Sequence, residues 1–304
     1  MARRAEARAR PEGRFVSAGG IKIHYMERGQ GRPVLLLHGN GAMMEELQAS
    51  GLLDRLSKRH RVLIPDRPGF GWSARNDRGW TAEKEAAVIL AFIRELKLDH
   101  PVIVANSWST LVALAVALKV SAAISGLVLM GGYYYPTIRG DALVQSVVAS
   151  PIIGDILRHT VWPLIARASA TLAFKRVFSP KAPSKRFLAE YPLDLAMRPS
   201  QLTAVADDTV ELPRSAARLS HHYRELLLPI DLIAGSDDKS VTTANQSRRL
   251  HRTLHNSFFD EVPGTGHMVH HAHPDLVAQR VDHVLDRALK PVSAQPLDPR
   301  KTSI

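Results

Sequence analysis

Val102-Ile103-Val104-Ala105-Asn106-Ser107-Trp108-Ser109-Thr110-Leu111 reads as a buried strand, a sharp turn and the start of a helix. The apolar, β-branched run suits a strand covered on both faces. Ser107 follows it directly, flanked at two residues' distance by the small side chains of Ala105 and Ser109. A strand–turn–helix of this kind lifts a serine hydroxyl above the edge of a sheet in a strained backbone conformation. Small neighbours are needed because the turn brings two backbone segments close together. The usual spelling is G-x-S-x-G, and here Ala105 and Ser109 replace both glycines. Ser107 also suits a second role, that of a helix N-cap.

Outward from this segment the strand signal repeats. Pro33 to Leu37, Val62 to Ile64, Leu127 to Met130 and Ile230 to Ile233 are short, nearly continuous apolar runs. Such runs belong to a parallel sheet buried on both faces. Phe15 to Tyr25 reads as a hairpin turned at Gly19-Gly20, the dipeptide that supplies two positive φ angles. Ser257 to Val262 is more polar and suits an edge strand. Apolar residues recur at helical spacing over Leu47 to Leu56, Ala82 to Leu96, Leu111 to Leu118 and Asp275 to Leu289. Thr81 is the expected N-cap of the second of these. Alternating strands and helices predict an α/β domain. Its two parts span 14–132 and 229–290. The interval 133–228 carries no strong strand and is broken by eight prolines from Pro136 to Pro213. It is too long for a loop, so it reads as an inserted, mainly helical cap. Residues 1–13 and 291–304 read as polar, mobile tails.

Four further segments carry chemistry. His38-Gly39-Asn40-Gly41 follows an early strand; such a turn presents a backbone N–H to a developing oxyanion. Asn40 is the expected first donor, and Trp108, the residue after the serine, the second. His38 reads as a structural histidine of that turn. Asp66 to Ser73 reads as scaffolding, with Asp66 bonding local N–H groups. Gly235-Ser236-Asp237-Asp238 puts two carboxylates at the end of a late strand, on the edge where α/β sheets bind ligands. Gly264-Thr265-Gly266-His267 delivers a histidine between the last strand and the last helix. His270, His271 and His273 follow closely, but no cysteine or carboxylate nearby completes a metal-ligand spacing; they read as flanking the final helix.

The bulk composition bounds the reading. The 304 residues are 45% hydrophobic and 23% charged, values of an ordinary globular chain. Cysteine is absent, which excludes disulfides, thiolate metal sites and cysteine nucleophiles and fits a reducing, cytoplasmic setting. The charged start leads into no apolar stretch of a signal peptide. The net charge of +11 concentrates in the first 14 residues and between Arg158 and Arg186. That second stretch alternates basic with apolar residues and is expected either to be a solvated surface or to touch anionic lipid. No nucleic-acid module accompanies the charge.

Taken in order, His38 to Gly41, Asp66 to Gly71, Ser107, Gly235 to Asp238 and Gly266-His267 resemble the α/β-hydrolase superfamily, over most of the chain from Phe15 to Leu289. The resemblance implies a mostly parallel, eight-stranded sheet flanked by helices, with the cap inserted after the sixth strand. It implies a triad of Ser107, His267 and Asp238, and it selects Asp238 over Asp237. Members of that superfamily acting as epoxide hydrolases or haloalkane dehalogenases use an aspartate nucleophile, so a serine at 107 points away from them. The expected activity is hydrolysis of a small or medium hydrophobic ester, without metal or organic cofactor. Perhydrolysis, carbon–carbon bond hydrolysis and a non-catalytic binding role are the alternatives. Cap residues Tyr133-Tyr134-Tyr135, Val161, Trp162, Leu164, Ile165, Phe174 and Phe178 either form the cap's own core and its seam with the main domain or line an apolar pocket.

Overall fold

The computed structural model describes residue 6 and residues 10–138 and 140–289. Most of the sequence expectation for 1–13, and all of that for 291–304, lies outside the described residues. Eight strands form one sheet: β1 (Arg14–Ala18), β2 (Ile21–Arg28), β3 (Arg32–Leu37), β4 (His60–Pro65), β5 (Val102–Asn106), β6 (Gly126–Met130), β7 (Ile230–Gly235) and β8 (Ser257–Val262). Their order is β1-β2-β4-β3-β5-β6-β7-β8. The β1–β2 and β2–β4 pairings are antiparallel and all others parallel. This is the α/β-hydrolase fold expected from the sequence. The hairpin turns at Gly19 (φ 59°) and Gly20 (φ 79°), as a two-residue primed turn requires.

β5 lies inside the sheet and is buried along its whole length. Ile103 and Ala105 face one apolar cluster and Val102 and Val104 the other, so its apolar run serves two core layers. Helices α1 (Met44–Ala49), α2 (Leu52–Leu56), α3 (Ala82–Glu95) and α4 (Ser109–Lys119) follow β3, β4 and β5. Thr81 caps α3, its side chain accepting from the Lys84 N–H at 3.2 Å. The single helix expected over Leu47 to Leu56 is two, because Gly51 takes φ 78° between them.

Between β6 and β7 the chain forms α5 (Gly140–Ala149), α6 (Ile153–His159), α7 (Trp162–Phe178), α8 (Lys185–Glu190), α9 (Leu193–Ala196) and α10 (Pro199–Ser220). Phe178, Phe187, Tyr191 and Leu195 meet Met43 and Phe70 in a third apolar cluster between these helices and the sheet domain. Tyr133, Tyr134 and Tyr135 pack into the main core, where Gln246 Oε1 accepts from the N–H groups of both Tyr134 and Tyr135. Two expectations for this interval need correcting. Val161, Leu164 and Ile165 are exposed to solvent. Arg158, expected on a basic surface, is buried and bonded to Val148 O and Asp155. No single helix among the described residues is long and apolar enough to cross a membrane. After β7 come α11 (Arg249–Thr253), α12 (Val269–Ala272) and α13 (Pro274–Ala288).

Candidate active site

β3, β5, β6, β7 and β8 all run the same way, so their C-terminal ends share one rim. That rim carries the turns at 38–41, 107, 131, 236–238 and 263–267. Ser107 sits between β5 and α4 with φ 55°, a region that residues with a side chain rarely adopt. Its N–H donates to Met130 O at 3.0 Å, and its own carbonyl accepts from Thr110 Oγ1 at 2.6 Å. The two non-glycine flanks fit. Ala105 is fully buried in β5, and Ser109 Oγ donates to His38 O. Ser109 therefore ties the helix start to the end of β3, which a glycine there would not do. Gly39 allows the close approach: a Cβ on it would lie 2.9 Å from Asn106 Oδ1 and 3.2 Å from the Ser107 Cβ.

Asp238 and His267 meet across 29 residues of sequence. Asp238 Oδ2 lies 2.7 Å from His267 Nδ1. Oδ1 of the same carboxylate accepts from the N–H groups of Ser240 at 2.7 Å and Val241 at 2.9 Å. These bonds aim the carboxylate, and both side chains are nearly closed to water. Asp237 is exposed and bonded to Ser236 Oγ. Ser107 and His267 line one cavity of about 850 Å³, shared with Asn40, Tyr133, Phe174, Phe178 and Met268. Trp162, like the exposed Val161, Leu164 and Ile165, is not among its lining residues.

The turn at 38–41 is held from both sides. His38 Nε2 accepts from the Arg67 N–H at 3.0 Å, so Nδ1 carries the proton and donates to Gly39 O at 2.9 Å. Burial and the Arg67 charge push the His38 pKa down to about 4, so the ring stays neutral. Asn40 Nδ2 donates to Thr209 Oγ1 at 2.9 Å and Val205 O at 3.1 Å on α10. Tyr191 Oη donates to Gly41 O at 2.6 Å. Asp66 acts as expected, accepting from the N–H groups of Met44 and Trp72.

Two constellations escaped the sequence reading. One is a buried charge network that reaches Trp108. Arg67 donates to Glu85 at 2.5 and 2.9 Å and to Asp208 of α10 at 2.6 Å, and the Trp108 indole donates to Glu85 at 3.2 Å. Burial works against the Arg67 charge, but Glu85 and Asp208 outweigh it and raise its pKa. The other is Glu46, whose Oε1 lies 2.6 Å from His270 Nε2 and 2.7 Å from His271 Nε2. Glu46 also lines the cavity. Burial opposes its charge, yet the two imidazoles outweigh burial and depress its pKa. These three ligand atoms lie within 4.8 Å of one another and are the one group among the described residues spaced to hold a metal ion. Their bonds to each other already satisfy both Nε2 groups. The 224 and 225 residues between Glu46 and its partners leave no local spacing to read.

Residues 34–280 match the family model described as the alpha/beta hydrolase family. The chain belongs to that family. It is a hydrolase of the α/β fold. Its relatives include haloalkane dehalogenase 2 of Mycobacterium tuberculosis, 28% identical over 284 residues that cover 89% of this chain and 93% of the relative. Another is the 2-hydroxy-6-oxo-6-(2'-aminophenyl)hexa-2,4-dienoic acid hydrolase of Metapseudomonas resinovorans, 29% identical over 288 residues, covering 90% and 91%. Among solved structures, a thermophilic esterase from Thermogutta terrifontis superposes with a TM-score of 0.72 at 22% identity, covering 92% of this chain and all of the esterase.

Proposed function

We propose that this α/β hydrolase cleaves a small or medium hydrophobic ester through an acyl-enzyme on Ser107. The observation that carries this reading is the shared cavity. Ser107, with its left-handed backbone, and His267, bonded at 2.7 Å to Asp238, line the same cavity. A serine hydroxyl becomes a useful nucleophile when a neighbouring imidazole takes its proton. His267 is the base in this reading and later hands the proton to the leaving alcohol. Asp238, accepting from Nδ1, holds the tautomer that puts the lone pair on Nε2 and stabilises the imidazolium. The oxyanion faces the backbone N–H groups of Asn40 and Trp108. The Trp108 residue sits at the N-terminus of α4, where backbone N–H groups lack helical acceptors. Each such donor lowers the barrier by about 3 kcal/mol. Water then releases the acid.

The cap, 133–228, supplies the apolar wall through Tyr133, Phe174 and Phe178. In this reading no metal or organic cofactor takes part, the partner is a small molecule and not nucleic acid, and the setting is cytoplasmic. The contact of the basic cap with anionic lipid, suggested by the sequence, belongs to the same proposal without Arg158. A halide-displacing reaction through a covalent alkyl ester needs a carboxylate nucleophile, and residue 107 is a serine. The relative from Metapseudomonas resinovorans favours carbon–carbon bond hydrolysis by the same three residues as the second reading. A panel of p-nitrophenyl esters and a vinylogous 1,5-diketone, each run with the wild type and with Ser107→Ala, tests both. Ester turnover lost in the variant supports the first reading. Diketone cleavage with inert esters supports the second. Turnover unchanged in Ser107→Ala contradicts both.

A further inference from the structure

We propose that the outer face of α5, α6 and α7 docks on an anionic lipid bilayer, and that the substrate is an acyl ester dissolved in that bilayer. The substrate half rests on the Ser107 reading above; the docking half does not. Of sixteen exposed large apolar side chains among the described residues, eleven lie between Ile138 and Leu172. Leu143, Ile152, Ile153, Ile156 and Leu172 are each 60% exposed or more. Single exposed leucines are ordinary on a protein surface, but a contiguous apolar patch marks an interaction site.

The shape and charge of this patch select a membrane surface. α5 and α6 together have the length and apolar composition of a bilayer span, yet they bend by 91° at their junction, beside Pro151. A pair bent so sharply cannot thread a bilayer as one rod, but it can lie in the interface with its apolar side chains in the acyl boundary. Cations follow these apolar residues along the chain. Lys175, Arg176, Lys181 and Lys185 are exposed. The carboxylates near them pair elsewhere, Asp194 with Arg167 and Glu190 with Arg186. None of these four has a carboxylate partner among the described residues, and Lys181 Nζ lies 3.4 Å from His273 Nε2. Lysines and arginines without a carboxylate partner complement phosphate headgroups.

The patch also meets the cavity. Ile138 and Ala173 are both exposed and lining residues, and Gly140 of α5 and Phe174 and Val177 of α7 join them. Docking through this face would bring that part of the cavity wall to the lipid. An ester could then pass from the acyl region to Ser107 without crossing water. Ser107 Oγ bonds to the acyl carbon, the alcohol leaves with the serine proton carried by His267, and water splits the acyl-enzyme to acid and free serine.

Vesicle flotation of the full chain tests this, with phosphatidylcholine vesicles and with equal parts phosphatidylcholine and phosphatidylglycerol. Two variants accompany the wild type: Leu143→Ser/Ile153→Ser/Ile156→Ser and Lys175→Gln/Lys181→Gln/Lys185→Gln. None of these six residues lines the cavity, so turnover of a water-soluble short-chain ester reports that each variant is folded and active. Docking predicts wild-type flotation with the anionic vesicles, weakened by salt, and roughly tenfold weaker binding in each variant. Short-chain turnover stays unchanged, while hydrolysis of a long-chain ester carried in the vesicles falls with binding. Short-chain turnover without vesicle binding overturns docking and leaves the hydrolase reading standing. Vesicle binding with no Ser107-dependent turnover of any ester overturns the substrate half and the hydrolase reading together. A concentration-dependent dimer abolished by the serine variant, with no lipid binding, assigns the face to a second copy of the chain and overturns the proposal.

Discussion

At the scale of single residues, two side chains show how the rim is held. Ser109 stands where a glycine is usual, and its hydroxyl reaches His38 O. Ser109→Ala removes that bond between buried groups and is expected to lower stability by about 1 kcal/mol, read as a lower urea midpoint. His38 has a pKa pushed down to about 4 from 6.5, by burial first and then by Arg67, against the opposing pull of Asp66 and Glu46. A depressed histidine favours the neutral folded form. Its stabilisation is full above pH 6.5 and is lost as the pH falls toward 4, by about 3 kcal/mol in all. Urea midpoints measured from pH 7.5 to 4 will show this slope, and His38→Gln will flatten it. The small flanks and the serine are legible in the sequence because they are contiguous. The bond from Ser109 to His38 is not, because it joins the start of α4 to the turn after β3, 71 residues away.

At the scale of elements, the strands and helices α3, α4 and α13 are legible because each is written in a local period, whereas the bounds of α7 and α10 are not. The split of α1 from α2 is not, since apolar spacing continues across Gly51 while its φ of 78° does not. The contact between α10 and the sheet domain has no local signature either. Besides the bonds of Asn40 to Val205 and Thr209, it holds Asp208, which bonds Arg67 at 2.6 Å and Arg75 at 3.1 Å. All three side chains are buried or nearly so. Asp208→Ala leaves Arg67 with Glu85 alone and is expected to cost about 3 kcal/mol, because removing one partner strands part of a buried charge. Asp207→Ala is the control. Its bond to Arg75 is long, at 3.4 Å, and the loss there is expected to be the smaller of the two by chemical denaturation.

At the scale of the whole molecule, the parallel strands gather five turns on one rim, and the cap roofs the cavity above it. The order of the motifs along the chain made the sheet and the meeting of Asp238 with His267 foreseeable. The outer cap surface was less so, because exposed and buried apolar residues read alike in a sequence. The central claim is that Ser107 is the nucleophile of this site. Incubation with a fluorophosphonate, followed by mass spectrometry of the proteolytic peptides, tests it most directly. The account predicts one adduct, on the hydroxyl of Ser107, formed by the wild type, slowed by roughly a thousandfold or more in His267→Ala and absent in Ser107→Ala. An adduct on another residue, or labelling as fast in His267→Ala as in the wild type, would contradict it.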